Sequence, residues 1–327
     1  MSRGDGLDEV AAVVHRLAVL LAAGVAPASA LGHLAAASDS TGRGDARRRR
    51  LLRAVALAAG RGGDVTEAIL EGAPASRRTG GRAPRRADPG EETAWAALAA
   101  SWRVAADAGA PVAAALGESA ESMRELARAR RDIDVALAGP AATGRVVGAL
   151  PLVALAFGSL LGFDVWGVLT GTVPGMVCLG AGLALMLAAR AWTRRLVRSA
   201  DPGDPAPGLA LDLLAVALAG GGSIEGGRSC VVDALEECGL GGGGRALEAA
   251  DPVLALSAAA GVPAGRLLRS EAALVRARAA THARERAARL GATLMLPLGV
   301  CVLPAFLLLG VAPMVVSVLL STFDGAR

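Results

Sequence analysis

The sequence predicts an all-α integral membrane protein with two tandem cytoplasmic helical bundles and three transmembrane helices. Three observations favour this fold class. First, 53% of the 327 residues are hydrophobic and only 2% are aromatic, and the dominant apolar residues, Leu and Ala, are helix formers rather than strand formers. Second, three long stretches carry no charged residue. Third, a helix–glycine–proline corner recurs in the polar regions that adjoin those stretches.

The composition also excludes several classes of enzyme. All 34 basic residues are arginine, so the chain cannot form a lysine-containing phosphate-binding loop or a Schiff base. Its four cysteines lack the spacing of a zinc site or a redox pair. We therefore expect no catalytic residue, no metal and no cofactor. The polar, mixed-charge amino terminus does not open a secretory signal peptide.

Residues 1–140 are predicted to form the first cytoplasmic bundle. In this range Gly109 can take the left-handed conformation that ends a helix, and Pro111 suits the start of the next one. A segment at about 71–92, rich in Pro, Gly and Arg, cannot bury a core and is predicted to be a disordered insertion. The uncharged stretch Leu17–Ala35 is divided by a glycine and a proline, which favours a packed helical hairpin, although membrane contact stays open.

Residues 141–198 are predicted to form a transmembrane hairpin. A membrane-spanning helix needs about 20 mostly apolar residues, and both Val146–Phe163 and Val165–Ala189 are free of charge. The lone acidic residue Asp164 separates them beside Trp166. This arrangement is typical of a tight turn at a membrane surface.

The second half of the chain repeats this plan. Residues 199–289 are predicted to form the second cytoplasmic bundle, with Gly261 and Pro263 at a corner like the first one. Residues 290–327 would then form one C-terminal transmembrane helix and a short outer tail, because the chain carries no charge from Leu290 to Phe323.

The last apolar stretch contains three prolines, Pro297, Pro304 and Pro313. Each proline would cost about 3 kcal/mol inside a soluble helix. In a membrane, neighbouring helices and local adjustments can satisfy the carbonyl groups that proline leaves free. We therefore expect a membrane helix that is kinked at these three positions.

The arginines predict the orientation of the chain in the cell membrane. Groups of arginine precede the hairpin, follow it and precede the last span, whereas the turn between the two hairpin helices has none. Cytoplasmic flanks carry the excess of positive charge in membrane proteins. The prediction is a multi-pass protein with a cytoplasmic N-terminus and an extracytoplasmic C-terminus.

Tandem bundles with Ala-Gly-x-Pro corners, each followed by an arginine-rich helix that runs into an apolar span, resemble the type II secretion system F family. The most specific stretch is "LPLGVCVLPAFLLLGVAP" at 296–313, and the likeness covers about residues 10–322. The pattern is most similar to the tight-adherence, or Flp, pilus branch of inner-membrane platform proteins.

This resemblance implies a non-enzymatic role without catalytic residues. Platform proteins of the family couple a cytoplasmic assembly ATPase to the extraction of pilin from the bilayer. The implied partners are a secretion or pilus-assembly ATPase, pilin subunits, the lipid bilayer, and a sister platform protein or a second copy of the chain.

Several charged residues lie where such coupling could act, either where the bundles meet the spans or at a corner. The candidates are Arg128, Arg130, Arg131, Glu225, Arg284, Arg286 and Arg289. The competing interpretation is that the arginines follow the positive-inside bias and that all seven lie on solvated helix faces. Both interpretations remain open at the level of sequence.

Other functions fit less well. A small transporter or permease subunit is the alternative, because helices kinked by Gly and Pro can line a substrate path, but no span contains an ionisable residue. An intramembrane peptidase would need two facing aspartates, and Asp164 has no evident partner. The run "RRRR" at 47–50 could attract phosphate, but it lacks interleaved aromatic residues, so no nucleic acid partner is expected.

Overall fold

The computed structural model describes residues 5–37, 43–73, 89–160, 165–199, 206–293, 295–313 and 315. All regular secondary structure in these ranges is helical, which confirms the all-α prediction. The predicted turn at Asp164 and most of the predicted insertion lie outside the described residues. Helices cover both edges of that insertion, because α4 ends at Gly72 and α5 begins at Pro89.

The first eight helices are α1 (Asp5–Ala22), α2 (Pro27–Ala37), α3 (Arg43–Gly60), α4 (Val65–Gly72), α5 (Pro89–Asp107), α6 (Val112–Leu160), α7 (Val165–Gly171) and α8 (Val173–Ser199). The next are α9 (Leu209–Ala219), α10 (Ile224–Glu237), α11 (Gly243–Glu248), α12 (Ala250–Ala260) and α13 (Ala264–Thr293). The last described stretch alternates α14 (Met295–Pro297), the π-helical turn π1 (Leu298–Val302), α15 (Leu303–Phe306) and the π-helical turn π2 (Leu307–Val311).

The chain divides into two compact units. Unit 1 comprises Met1–Arg131 and Gly203–Thr281, and unit 2 comprises Asp132–Pro202 and His282–Arg327. The divisions fall within α6 and within α13. Both segments predicted as separate tandem bundles therefore contribute to unit 1.

A single hydrophobic core explains why unit 1 contains both segments. Leu17 of α1, Trp95 of α5, Leu116 of α6, Leu214 of α9 and Leu268 of α13 belong to one cluster and are each at most 1% exposed. The central helix is α9, whose first nine residues are all buried. A helix that is apolar on every side must be covered on every side, and α9 packs against helices from both parts of the sequence.

Glycine corners connect the helices of unit 1 at the predicted positions. Gly109 has φ 66° between α5 and α6, and Gly261 has φ 65° between α12 and α13, so both are left-handed, where a side chain would be strained. The residue after Gly109, Ala110, donates its backbone N–H to the Ala105 carbonyl at 2.9 Å, the bond of a Schellman helix end. Pro111 and Pro263 directly precede the first residues of α6 and α13.

Among the described residues, two helical stretches are long and apolar enough to cross a membrane, Val173–Leu196 and Ala264–Val311. In the most apolar window of the first stretch only 17% of the residues are buried, whereas the core helix of a soluble protein would be mostly buried. A third apolar stretch, Gly148–Leu160 at the end of α6, is shorter. It lies within the predicted span Val146–Phe163, and the three-span topology stays a prediction.

The boundary of α8 differs from the predicted span Val165–Ala189. Helix α7 ends at Gly171 and α8 begins at Val173, so the second apolar helix starts later and ends among the arginines. The reason is a helix-start signal within the apolar run. The Thr172 hydroxyl accepts the Gly175 N–H at 3.1 Å, as an N-cap residue does.

The prolines of the last stretch explain its π-helical turns. Turn π1 ends two residues before Pro304, and π2 ends two residues before Pro313. Proline removes an N–H and clashes with the carbonyl four residues earlier. Widening the preceding turn lets carbonyls bond five residues ahead, as the Ala312 N–H does with the Leu307 carbonyl.

Candidate functional site

Helices α6 and α13 are joined in unit 1 by acid–arginine pairs. Glu118 lies 2.8 Å from Arg269, and Glu125 lies 2.8 Å from Arg276. Both partners shift by seven residues from one pair to the next, which is nearly two helical turns and keeps the pairs on one face. From the first pair to the second, residue numbers increase along both helices, so α6 and α13 run parallel.

The second pair extends to a buried aspartate of α9. The Arg276 guanidinium also donates to Asp212 at 2.6 Å, and their side chains are only 11% and 9% exposed. The Ser122 hydroxyl donates to the same carboxylate at 3.0 Å. Burial raises the pKa of Asp212, although the Arg276 charge and the Ser122 hydrogen bond oppose that shift. The network ties α6, α9 and α13 together.

This network was not predicted from the sequence, although a signal for it was present. Asp212 is the lone charged residue in "LALDLLAVALA", the sequence of α9. A charge inside a helix that is apolar on all faces must be paired, because an isolated buried charge is very costly. The partner could not be named from sequence, because Arg276 is 64 residues further along the chain.

A second polar feature of unit 1 is a groove of about 550 Å³ at the ends of α5 and α9 and along α10. Arg103 lines this groove. Its guanidinium group lies 2.7 Å from Asp107, 3.3 Å from Asp64 and 3.6 Å from Glu237. The hydrogen bond to Asp107 is the main reason that the pKa of Arg103 is raised. Burial raises the pKa of the Cys230 thiol in the same groove, which disfavours the nucleophilic thiolate.

Metal ligation and one predicted interface residue can be assessed at this groove. Among the described residues no group of three His, Cys, Asp or Glu side chains could hold a metal ion. The predicted interface residue Glu225 is exposed in the first turn of α10, beside Gly226 of the groove wall. Its negative charge suits the positive end of a helix dipole there.

The predicted arginines of α6 all make interactions within the chain. Arg131 pairs with Asp8 of α1. Arg128 lies 3.7 Å from Glu121 on its own helix, and Arg130 also has a partner. Arg128 and Arg131 are exposed, so both a solvated face and a partner surface remain compatible with their positions.

The predicted arginines of α13 lie in unit 2. Arg284 lies 2.5 Å from Asp132 of α6. Arg286 donates to the His282 carbonyl at 3.2 Å. Arg289 is exposed and has no ion-pair partner among the described side chains. The structure therefore does not gather the seven predicted residues into one site.

In the part of the chain that the structure describes, the fold and its apolar stretches define a class: a helical protein with two stretches long and apolar enough to cross a membrane. The family model described as "Type II secretion system (T2SS), protein F" matches residues 13–160. The matched range begins in α1 and ends with α6. This match supports a relation between the chain and the type II secretion system F family. No curated protein and no solved structure matches the chain.

Proposed function

We propose that this chain is a non-enzymatic inner-membrane platform of a type IV or Flp (tight-adherence) pilus or of a type II secretion machine. In this role it couples a cytoplasmic assembly ATPase to the extraction and polymerisation of pilin. The match of residues 13–160 to the type II secretion F family supports the proposal. So do the two helical stretches with the length and composition of membrane spans.

The observation that carries the coupling is the pairing of α6 with α13. Helix α6 is unbroken from Val112 to Leu160, and α13 belongs to the helical stretch Ala264–Val311. Each carries its charged residues in the earlier part and continues into an apolar segment. Because Glu118–Arg269 and Glu125–Arg276 join them in parallel, a displacement imposed on one helix by a motor protein is shared by the other.

The proposal extends to partners. A secretion ATPase would act on the polar helices of unit 1, and pilin would contact the apolar segments within the lipid bilayer. A sister platform protein or a second copy of the chain would complete the assembly.

A deletion strain tests the role. Loss of the gene should remove surface pili or secretion, and the tagged chain should co-purify with an assembly ATPase from mild detergent. Intact piliation and secretion in a clean deletion would contradict the proposal.

Charge reversal tests the coupling itself. Arg269→Glu with Arg284→Glu places like charges opposite Glu118 and Asp132. This double variant should lose pili at normal membrane levels. Adding Glu118→Arg and Asp132→Arg restores opposite charges and should restore pili. Normal piliation of the double variant would reject coupling through these helices.

A further inference from the structure

Unit 2 packs α8 antiparallel to the last apolar stretch. A Cβ atom added to Gly182 would lie 2.4 Å from Cγ of Leu309, so the two helices are in close contact there. About two helical turns further along α8, Ala189 packs with Cys301 and Val302. From the first contact to the second, residue numbers increase along α8 and decrease along the last apolar stretch, so the two run antiparallel. The C-terminal end of α8 is therefore directed towards the α13 end of the last stretch.

Exposed arginines cluster at this end of the helix pair. Arg190, Arg194 and Arg195 are exposed on α8, and Arg289 is exposed on α13. At 1.5 Å per residue, Arg194 lies about 8 Å beyond Ala189, and Arg289 lies about 18 Å before Cys301. The two positions are about 10 Å apart along the helix axes. We call these four residues the arginine belt.

Within the described part of the chain, acidic side chains near the belt form no ion pair with it. Asp132 is paired with Arg284 at 2.5 Å. No member of the belt has an ion-pair partner among the side chains that the structure describes. As far as the described residues go, the four guanidinium groups can therefore bind an anion.

An exposed apolar surface adjoins the belt. Leu187 on α8 is 59% exposed, and Met295 and Leu296 are 68% and 55% exposed on the facing stretch. Trp192, which is 39% exposed, lies among the arginines, and indole rings favour the boundary between headgroups and acyl chains. A ligand that satisfies both surfaces must carry an anionic group and a hydrocarbon chain.

We propose that the arginine belt binds the headgroup of an anionic phospholipid, whose acyl chains cover the adjoining apolar surface. Guanidinium groups bind phosphate oxygens through paired hydrogen bonds, and basic residues beside membrane helices attract anionic headgroups. This inference rests on the membrane location in the proposed function, but not on pilus assembly.

The test measures lipid preference of the full-length protein in detergent by native mass spectrometry. The probes are phosphatidylglycerol and phosphatidylcholine with identical acyl chains. The test variant is Arg194→Gln, Arg195→Gln and Arg289→Gln. The matched control, Arg53→Gln, Arg61→Gln and Arg266→Gln, removes the same charge from exposed positions of unit 1.

The wild type and the control should bind phosphatidylglycerol in preference to phosphatidylcholine. Each belt arginine is expected to contribute about fivefold to anionic-lipid binding, so the test variant, which lacks three of them, should lose about 100-fold of the preference. Replacing the same three residues by lysine keeps the charge and should keep most of the preference. This variant also keeps the test valid if the glutamine variant does not fold.

Three results would overturn the inference. These are an equal preference in test and control variants, loss of the preference in the lysine variant, or displacement of the lipid by inorganic phosphate at similar concentration. The last would indicate a free anion as the ligand. Lost lipid preference with normal pili would leave the platform role intact, whereas piliated deletion strains would reject the platform role and not the belt.

Discussion

The ion pair between Arg276 and Asp212 makes a strong prediction about stability. Both side chains are about nine-tenths buried, and they are 2.6 Å apart. Arg276→Met keeps a long apolar side chain in place but leaves Asp212 without its cationic partner. Ser122 would be its remaining hydrogen-bond donor. We expect this variant to lower the free energy of unfolding substantially.

The loss of unfolding free energy in Arg276→Met follows from the unpaired charge and is limited by protonation. Removing one member of a buried ion pair typically costs about 3–5 kcal/mol. The cost is limited because Asp212 can take up a proton, and protonating a carboxyl group with an ordinary pKa of 3.8 at pH 7 costs about 4 kcal/mol. The predicted loss is therefore about 3–4 kcal/mol. For a unit of this size, that lowers Tm by about 6–16 °C.

The assay is thermal unfolding of the full-length protein in detergent, followed by circular dichroism. Arg278→Met is the matched control, because Arg278 lies on the same helix with a side chain that is 63% exposed, and exposed pairs contribute at most about 1 kcal/mol. The double variant Arg276→Met with Asp212→Leu should recover most of the loss, since both charges are then gone.

The pH dependence identifies the cause. In Arg276→Met the cost comes from an unpaired carboxylate, so it should shrink as the pH falls towards the ordinary pKa of aspartate. A Tm loss as small as that of Arg278→Met, or one that is the same at pH 4 and pH 7, would refute this reasoning.

Three further predictions concern a close packing contact, a titration and a thiol. Gly182→Val should overpack the contact with Leu309, which costs about 1–3 kcal/mol of stability and lowers Tm. The control Gly180→Val, whose added side chain would meet open space, should change Tm little; equal effects of the two variants would contradict this packing. Burial raises the pKa of Asp212, so its charge opposes folding above that pKa and stops doing so as the pH falls. In Asp212→Asn, Arg276 keeps Glu125 as an ion-pair partner at 2.8 Å, so this variant should match or exceed the wild-type Tm at pH 7, with a gap that closes towards pH 4; a gap that widens would show the opposite shift. Burial raises the pKa of Cys238 to about 12, so its thiol should be alkylated at pH 8 at least 100-fold more slowly in folded than in unfolded protein. Peptide mass spectrometry measures the two alkylation rates, and similar rates would exclude the pKa shift.

Local signals predicted much of the helical structure. Leu and Ala with few aromatic residues indicated helices, and the described residues contain no strand. The glycines before Pro111 and Pro263 were identified as corners because few other residues tolerate a left-handed conformation. A similar local signal, Thr172 as an N-cap, was overlooked inside an apolar run.

The candidate site was less predictable than the helices. Arg276 looked like any other arginine of a polar helix, and Asp212 was hidden in an apolar one. Their contact depends on how α6, α9 and α13 pack, and packing joins residues far apart in the chain. The arginines chosen from sequence instead lie in two units with partners of their own.

By itself, the sequence determined which segments are helical, where glycine corners interrupt them and which stretches are apolar enough for a membrane. These properties depend on residues within a few turns of one another. Only the tertiary structure decided that residues from both halves share one core, that Asp212 pairs with Arg276 and that Gly182 lies against Leu309. The reason is that burial and charge pairing depend on distances in space, and a helical pattern leaves open which neighbour will cover each face.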